Sequence, residues 1–224
     1  MLYHSTVLLV ALGIASTAAQ SFAGKGTSYE ASSVGAGNCN LMSWLPIANT
    51  NRVAIPSALW ASGANCGRCV QIQCVDRLCE SNLPVVAQIT DSCPTCGPRD
   101  VDMLDSLFQK VTGGLLTGAP QIVWAFVPCA PVGGVHICTK VGSSRYWLAL
   151  QPSNTISGVQ SLRVMKQPTS LLGSAFYFVA LGQASSEVSL ASTEIELTSF
   201  GGDVISATVS LAPNTCTRIQ AFKN

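Results

Sequence analysis

Two carboxylates in the N-terminal half stand where acid–base chemistry could begin. Asp91 closes the apolar run VVAQITD, and Asp102 opens a stretch of helical spacing. Hydrolysis of a glycosidic bond ordinarily uses such a pair, one carboxyl protonating the leaving oxygen and the other acting as base or nucleophile. The remaining acids of this half are Glu30, Asp76, Glu80, Asp100 and Asp105. Asp102 has a structural reading too: as a helix N-cap it would accept backbone N–H bonds, with Asp105 favoured in the first turn by the helix dipole. A carboxylate so placed has a lowered pKa, which suits an anion better than a general acid. Aromatic rings are the other means of holding a sugar, because a flat apolar ring covers the C–H face of a pyranose. Tyr146 and Trp147 follow Gly142-Ser143-Ser144-Arg145 at a strand start. Successive strand residues face opposite ways, so a regular strand would bury one ring and an irregular start would expose both. Trp44, Trp60 and Trp124 read as core or groove-wall residues.

Other chemistries find few residues. His136 is the only histidine beyond the N-terminal segment, which leaves no His-rich metal site and no convincing Ser-His-Asp triad. Glycine-rich phosphate loops are absent, so no cofactor is expected. Charged residues make up 10% of the 224 and the formal net charge is +1. That balance offers no electrostatic footprint for nucleic acid or an anionic membrane.

The first 19 residues have an apolar core from Val7 to Ile14 followed by small residues, with Ala18 and Ala19 near a plausible cleavage point. The core is too short to span a bilayer, which takes roughly 20 apolar residues; it reads as a secretory signal peptide. The ten cysteines all follow it: Cys39, Cys66, Cys69, Cys74, Cys79, Cys93, Cys96, Cys129, Cys138 and Cys216. An even set in a secreted chain reads as a disulfide framework. A zinc site on Cys66-x-x-Cys69 and Cys93-x-x-Cys96 is the competing reading. No N-x-Ser/Thr sequon is present.

The elements that must position these residues fall into two textures. Residues 20–130 hold eight of the cysteines, the strand-like runs RCVQIQCV, PVVAQITD and QIVWAFVP, and one amphipathic helix. Met103, Leu104, Leu107, Phe108 and Val111 give that helix its spacing, and Gly113-Gly114 ends it. A Pro/Gly link over 131–135 leads to residues 136–224, where short strand runs recur between turn residues as in an antiparallel sandwich. Cys138 and Cys216 lie near the two ends of that half.

Several strings, in order and at matching spacing, resemble the expansin family. They are Gly26-Thr27-Ser28-Tyr29, Asn65-Cys66-Gly67-x-Cys69, Ile89-Thr90-Asp91-Ser92-Cys93-Pro94, Asp102 with Phe108 six residues later, VPCAP at 127–131 and GSSRYWLALQ at 142–151. The resemblance implies a mainly β chain: a six-stranded double-psi β-barrel with one short helix, then an immunoglobulin-like sandwich. It implies a barrel groove lined by Thr27, Asp91 and Asp102, with Asp102 central, and a sandwich face on which Tyr146 and Trp147 stack on glucan. It also implies the bridges Cys39–Cys66, Cys69–Cys129 and Cys74–Cys79, leaving Cys93–Cys96 and Cys138–Cys216 as additions.

This chain departs from the family pattern at several positions. The family's H-F-D triplet is Asp100-Val101-Asp102, the usual helix-capping Ser is Leu104, and a groove aromatic falls at Cys93. The third ring of the platform falls near Val164, where Tyr177, Phe176 or Phe178 would have to replace it. Related family-45 endoglucanases place a base near Glu30, but one residue out of step with Thr27, which turns it to the other face. The expectation is a secreted, monomeric protein of the cell wall that binds cellulose or a related β-glucan or hemicellulose and loosens it without cutting. The alternatives are an endoglucanase and a wall-binding structural or elicitor protein.

Overall fold

A computed structural model describes residues 20–181 and 187–222; the expected signal peptide lies outside them. The N-terminal half closes into a six-stranded barrel in the order β1-β5-β2-β4-β3-β6. Its strands are β1 (Ser21–Tyr29), β2 (Arg52–Pro56), β3 (Cys69–Cys74), β4 (Val85–Cys93), β5 (Val101–Leu104) and β6 (Gln121–Val127). The pairs β1/β5 and β2/β4 are parallel and the others antiparallel. Inward positions carry branched or sulfur side chains such as Val53, Ile55, Val70, Ile72, Val101 and Met103, all fully buried. This alternation makes each run a strand with one dry face.

Among the described residues two short α-helices accompany the barrel, α1 (Ser57–Trp60) and α2 (Asp105–Thr112). Helix α2 starts later than its spacing predicts, because Val101–Leu104 is barrel strand β5. Val101 and Met103 supply the inward side of that strand, and only Leu107, Phe108, Val111 and Thr112 form the helix's buried face. Gly113 ends α2 in the left-handed region (φ 80°), and a Cβ there would lie 2.5 Å from the Ser81 nitrogen. Only glycine meets both demands.

The second half is an immunoglobulin-like sandwich. Its strands are β7 (His136–Thr139), β8 (Trp147–Ser153), β9 (Val159–Val164), β10 (Gln167–Pro168), β11 (Ser170–Leu171), β12 (Phe178–Leu181), β13 (Thr193–Ser199), β14 (Val204–Val209) and β15 (Thr215–Arg218). They form one sheet ordered β10-β9-β13-β14 and another ordered β11-β12-β8-β7-β15, with antiparallel pairing throughout. Leu148 and Leu150 meet Leu162, Ile195, Leu197 and Ile205 in the core between them.

Ten cysteines make five bridges: Cys39–Cys66, Cys69–Cys129, Cys74–Cys79, Cys93–Cys96 and Cys138–Cys216. The CxxC pairs of the zinc reading are therefore consumed as disulfides, with Cys66 and Cys69 joined to different partners. Five disulfides fit an extracellular protein.

The junction between the halves is polar and buried. The amide of Gln151, fully enclosed, accepts the Met42 backbone N–H at 2.7 Å and donates to Asn40 O at 2.9 Å and Phe176 O at 3.0 Å. Arg68 lies between Phe126 of the barrel (4.0 Å) and Phe200 of the sandwich (4.1 Å), where burial lowers its pKa to about 10. Ser43 meets His136 Nδ1 at 3.0 Å. In the link, a Cβ on Gly134 would sit 1.8 Å from Ile219 O, so glycine is required for that close approach.

Candidate functional site

Four residues align across the outer wall of the barrel. Thr27 of β1 is in register with Asp102 of β5, Asp102 with Ala54 of β2, and Ala54 with Asp91 of β4. Neighbouring strands lie about 4.8 Å apart and registered residues share a face. Two carboxylates thus stand in one row with a small residue between them. The register of β2 against β4 shifts at Val53/Ala54, an irregularity of the kind that re-aims side chains at functional surfaces.

Each acid is held differently. Thr27 Oγ1 donates to Asp102 Oδ1 at 2.6 Å. Asp102 is not a helix N-cap: it sits in β5, and residue 104 occupies the cap position without a side-chain bond. Its pKa is accordingly raised rather than lowered. Burial is the main cause, opposed by the Thr27 bond and reinforced by the negative charges of Asp105 and Asp91. Asp102 therefore gives up its proton less readily than a free aspartic acid. Asp91 is tied down as an acceptor, its Oδ1 taking the backbone N–H groups of Asn38 (2.7 Å) and Ser92 (2.8 Å).

Tyr29, two residues beyond Thr27 on β1, belongs to the same face. Burial raises its phenol pKa, the charge of Asp91 adds to this, and the Thr90 side chain and Arg52 pull the other way. In the sequence Tyr29 appears only within the Gly26-Thr27-Ser28-Tyr29 motif; the period-two alternation from Thr27 is the signal that could have found it. Glu30, the next residue, lies outside this row and lines a shallow hollow with Leu104, Asp105 and Ser106.

The rings lie further along. Trp147 is half-buried on the outer face of the five-stranded sheet, against the cluster of Ala149, Ala175, Tyr177 and Val179. Met42, which packs on the same cluster as Trp147, lies in the segment whose Asn38 N–H bonds Asp91. Tyr146 precedes β8 in a bend and is 53% exposed. Neither ring enters the sandwich core. The candidate third rings do not reach the surface: Phe176, Tyr177 and Phe178 are 2%, 1% and 3% exposed. Phe176 and Phe178 pack edge to face in the core, and Tyr177 donates to Asn40 O at the junction. Trp124 is buried on Phe22, whereas Trp44 is 37% exposed with its indole N–H on Asn49. Trp60 directs its indole N–H at Cys66 Sγ.

No family model matches the chain. In sequence it is similar to Expansin-like protein 1 of Dictyostelium discoideum, 28% identical over 186 residues, covering 78% of this chain and 62% of that protein. Expansin-A17 of Oryza sativa subsp. japonica is 29% identical over 143 residues, covering 57% of this chain and 49% of the rice protein. The chain spans between half and two thirds of the length of its Dictyostelium discoideum relatives. In structure it is similar to the expansin of Clavibacter michiganensis, with a TM-score of 0.76 at 21% identity, covering 92% of this chain and 99% of that one. A mutant of the same protein, in complex with cellohexaose, aligns with a TM-score of 0.75 at 21% identity, covering the same shares of the two chains.

The chain is similar to expansins in sequence and in fold.

That likeness rests on sequence relatives and on the whole two-part fold together. On this frame Thr27, Asp102 and Asp91 stand in one row across the barrel, and Trp147 lies on the outer face of the sandwich. Tyr146 stands at the rim of the sandwich, held by contacts of its own. Among the described residues, no group of three or more His, Cys, Asp or Glu side chains is placed to hold a metal ion.

Proposed function

We propose that this protein is secreted, binds cellulose or a related β-glucan of a cell wall, and loosens it without hydrolysis. The observation that carries this reading is the acid row: a desolvated Asp102, fixed by Thr27, beside Asp91, whose Oδ1 accepts two backbone N–H groups. Hydrolysis requires a second carboxyl to activate water or attack the sugar, a role that in this row would fall to Asp91 Oδ2. Glu30, the carboxylate nearest the related endoglucanases' base, lies outside the row. Asp102 then acts as the carboxyl that exchanges hydrogen bonds with glycan hydroxyls otherwise bonded to neighbouring chains, and Trp147 and Tyr146 hold the same chain by ring stacking. The low charge of the chain suits a neutral, hydroxyl-rich partner.

The test is a creep measurement on stretched wall strips, with soluble sugar assayed in the same bath. Wild type should extend the strips while releasing no sugar, and Asp102→Asn should extend them little. Sugar release that disappears in Asp102→Asn would make the protein a glucanase with Asp91 as base. Binding without any extension would leave a wall-binding protein only.

A further inference from the structure

We propose that Glu187 and Arg145 are positioning residues that hold Tyr146 as a preset stacking platform for one glucosyl unit of a β-linked glucan, an inference that rests on the binding function proposed above. The Tyr146 phenol donates to Glu187 Oε1 at 2.7 Å, and Arg145 Nη1 meets Glu187 Oε2 at 2.7 Å. One carboxylate thus bridges a phenol and a guanidinium through separate oxygens. The Arg145 guanidinium carbon also lies 5.5 Å from the centre of the Tyr146 ring, within cation–π range.

The backbone reinforces this arrangement from both sides. Ser144 Oγ accepts the N–H groups of Tyr146 (3.3 Å) and Trp147 (3.4 Å), which fixes the bend before β8. Val188, buried in the sandwich core, donates its N–H to Arg145 O at 3.1 Å, so Glu187 is held beside the bend by the residue that follows it. The three side chains converge although 41 residues separate Tyr146 from Glu187.

The clamp contributes little to folding, since exposed ion pairs are worth little. Its effect falls on binding. A tyrosine at 53% exposure would otherwise swing freely and lose that freedom when a sugar stacks on it. A ring already held by its hydroxyl has lost the freedom beforehand. A tryptophan at this position has no hydroxyl to be held by; a tyrosine does, and the clamp offsets its smaller face.

Affinity for soluble cellohexaose, measured by calorimetric titration, tests this with five variants. Tyr146→Ala should weaken binding most. Tyr146→Phe and Glu187→Leu should each weaken it about two- to fivefold, the effect of freeing one side chain. The double variant Tyr146→Phe with Glu187→Leu should be no weaker than either alone, because both remove the same contact. Glu187→Gln, which keeps an acceptor for the phenol, should recover most of the affinity. Wild-type affinity in Glu187→Leu, or losses that add in the double variant, would overturn the clamp while leaving the binding function standing. A wild type that ignores cellohexaose, or a Tyr146→Ala variant that binds as well as wild type, would overturn the clamp together with the role of this ring.

Discussion

Replacing Gln151 with leucine should loosen the joint between barrel and sandwich, and the size of the effect follows from its contacts. Leucine nearly matches the side chain in volume but offers no polar atom. The Phe176 carbonyl, reached at 3.0 Å in a buried bond, would lose that donor, and the partly buried Met42 N–H would lose its 2.7 Å acceptor. An orphaned buried group costs about 1–3 kcal/mol, so the pair should cost about 2–6 kcal/mol. In a chain of this size 1 kcal/mol moves the melting point by about 2–4 °C, giving a drop of roughly 4–24 °C by calorimetry. Gln151→Glu should be worse, because a carboxylate can still accept from Met42 but turns a negative charge on the carbonyls of Asn40 and Phe176. A Gln151→Leu protein that melts within a degree or two of wild type would refute the claim that this amide fastens the two halves. So would a leucine variant less stable than the glutamate one.

Asp102→Asn should stabilise the fold while it abolishes loosening. The raised pKa means the folded chain holds this proton more tightly than the unfolded chain does. Stability therefore falls as pH rises from the ordinary carboxylate value through the raised one, and stays lower above it. The asparagine variant should melt above wild type at neutral pH and alongside it in acid below that window, as followed by thermal melts across pH. Removing the Cys138–Cys216 bridge, with a sequence separation of 78, should cost about 4–5 kcal/mol by loop entropy, and removing Cys93–Cys96, with a separation of 3, about 2 kcal/mol. Guanidinium unfolding of the two Cys→Ser pairs ranks them; the reverse order would mean that the short bridge holds the acid row rather than merely the turn after it.

Much of the architecture could be read from the chain alone because it depends on local pattern. Alternating apolar residues in VVAQITD and QIVWAFVP mark strands whatever lies beside them, and Gly113 marks a helix end because only glycine relaxes there. The helix start misled for the same reason. Met103 and Leu104 fit a helical stripe, yet Met103 fills the barrel interior from β5, and the parallel pairing of β5 with β1 outweighs a three-residue extension of α2. The sign of the Asp102 shift followed from that error: a strand carboxyl facing Thr27 and desolvated by the barrel wall is not a helix-end anion.

Residue types and their order were therefore enough to specify a disulfide-stapled β chain with expansin-like motifs and to nominate Thr27, Asp91, Asp102, Tyr146 and Trp147. Only the tertiary structure decided which of them meet. The row Thr27–Asp102–Ala54–Asp91 crosses four strands drawn from distant parts of the chain, and no spacing along the sequence encodes a register between them. The burial of Tyr177 under the barrel's own loop, and the grip of Glu187 on Tyr146, likewise exist only once the two halves and the sandwich rim are in place. Periodicity is a property of neighbours in sequence, whereas hydrogen bonds and desolvation are properties of neighbours in space.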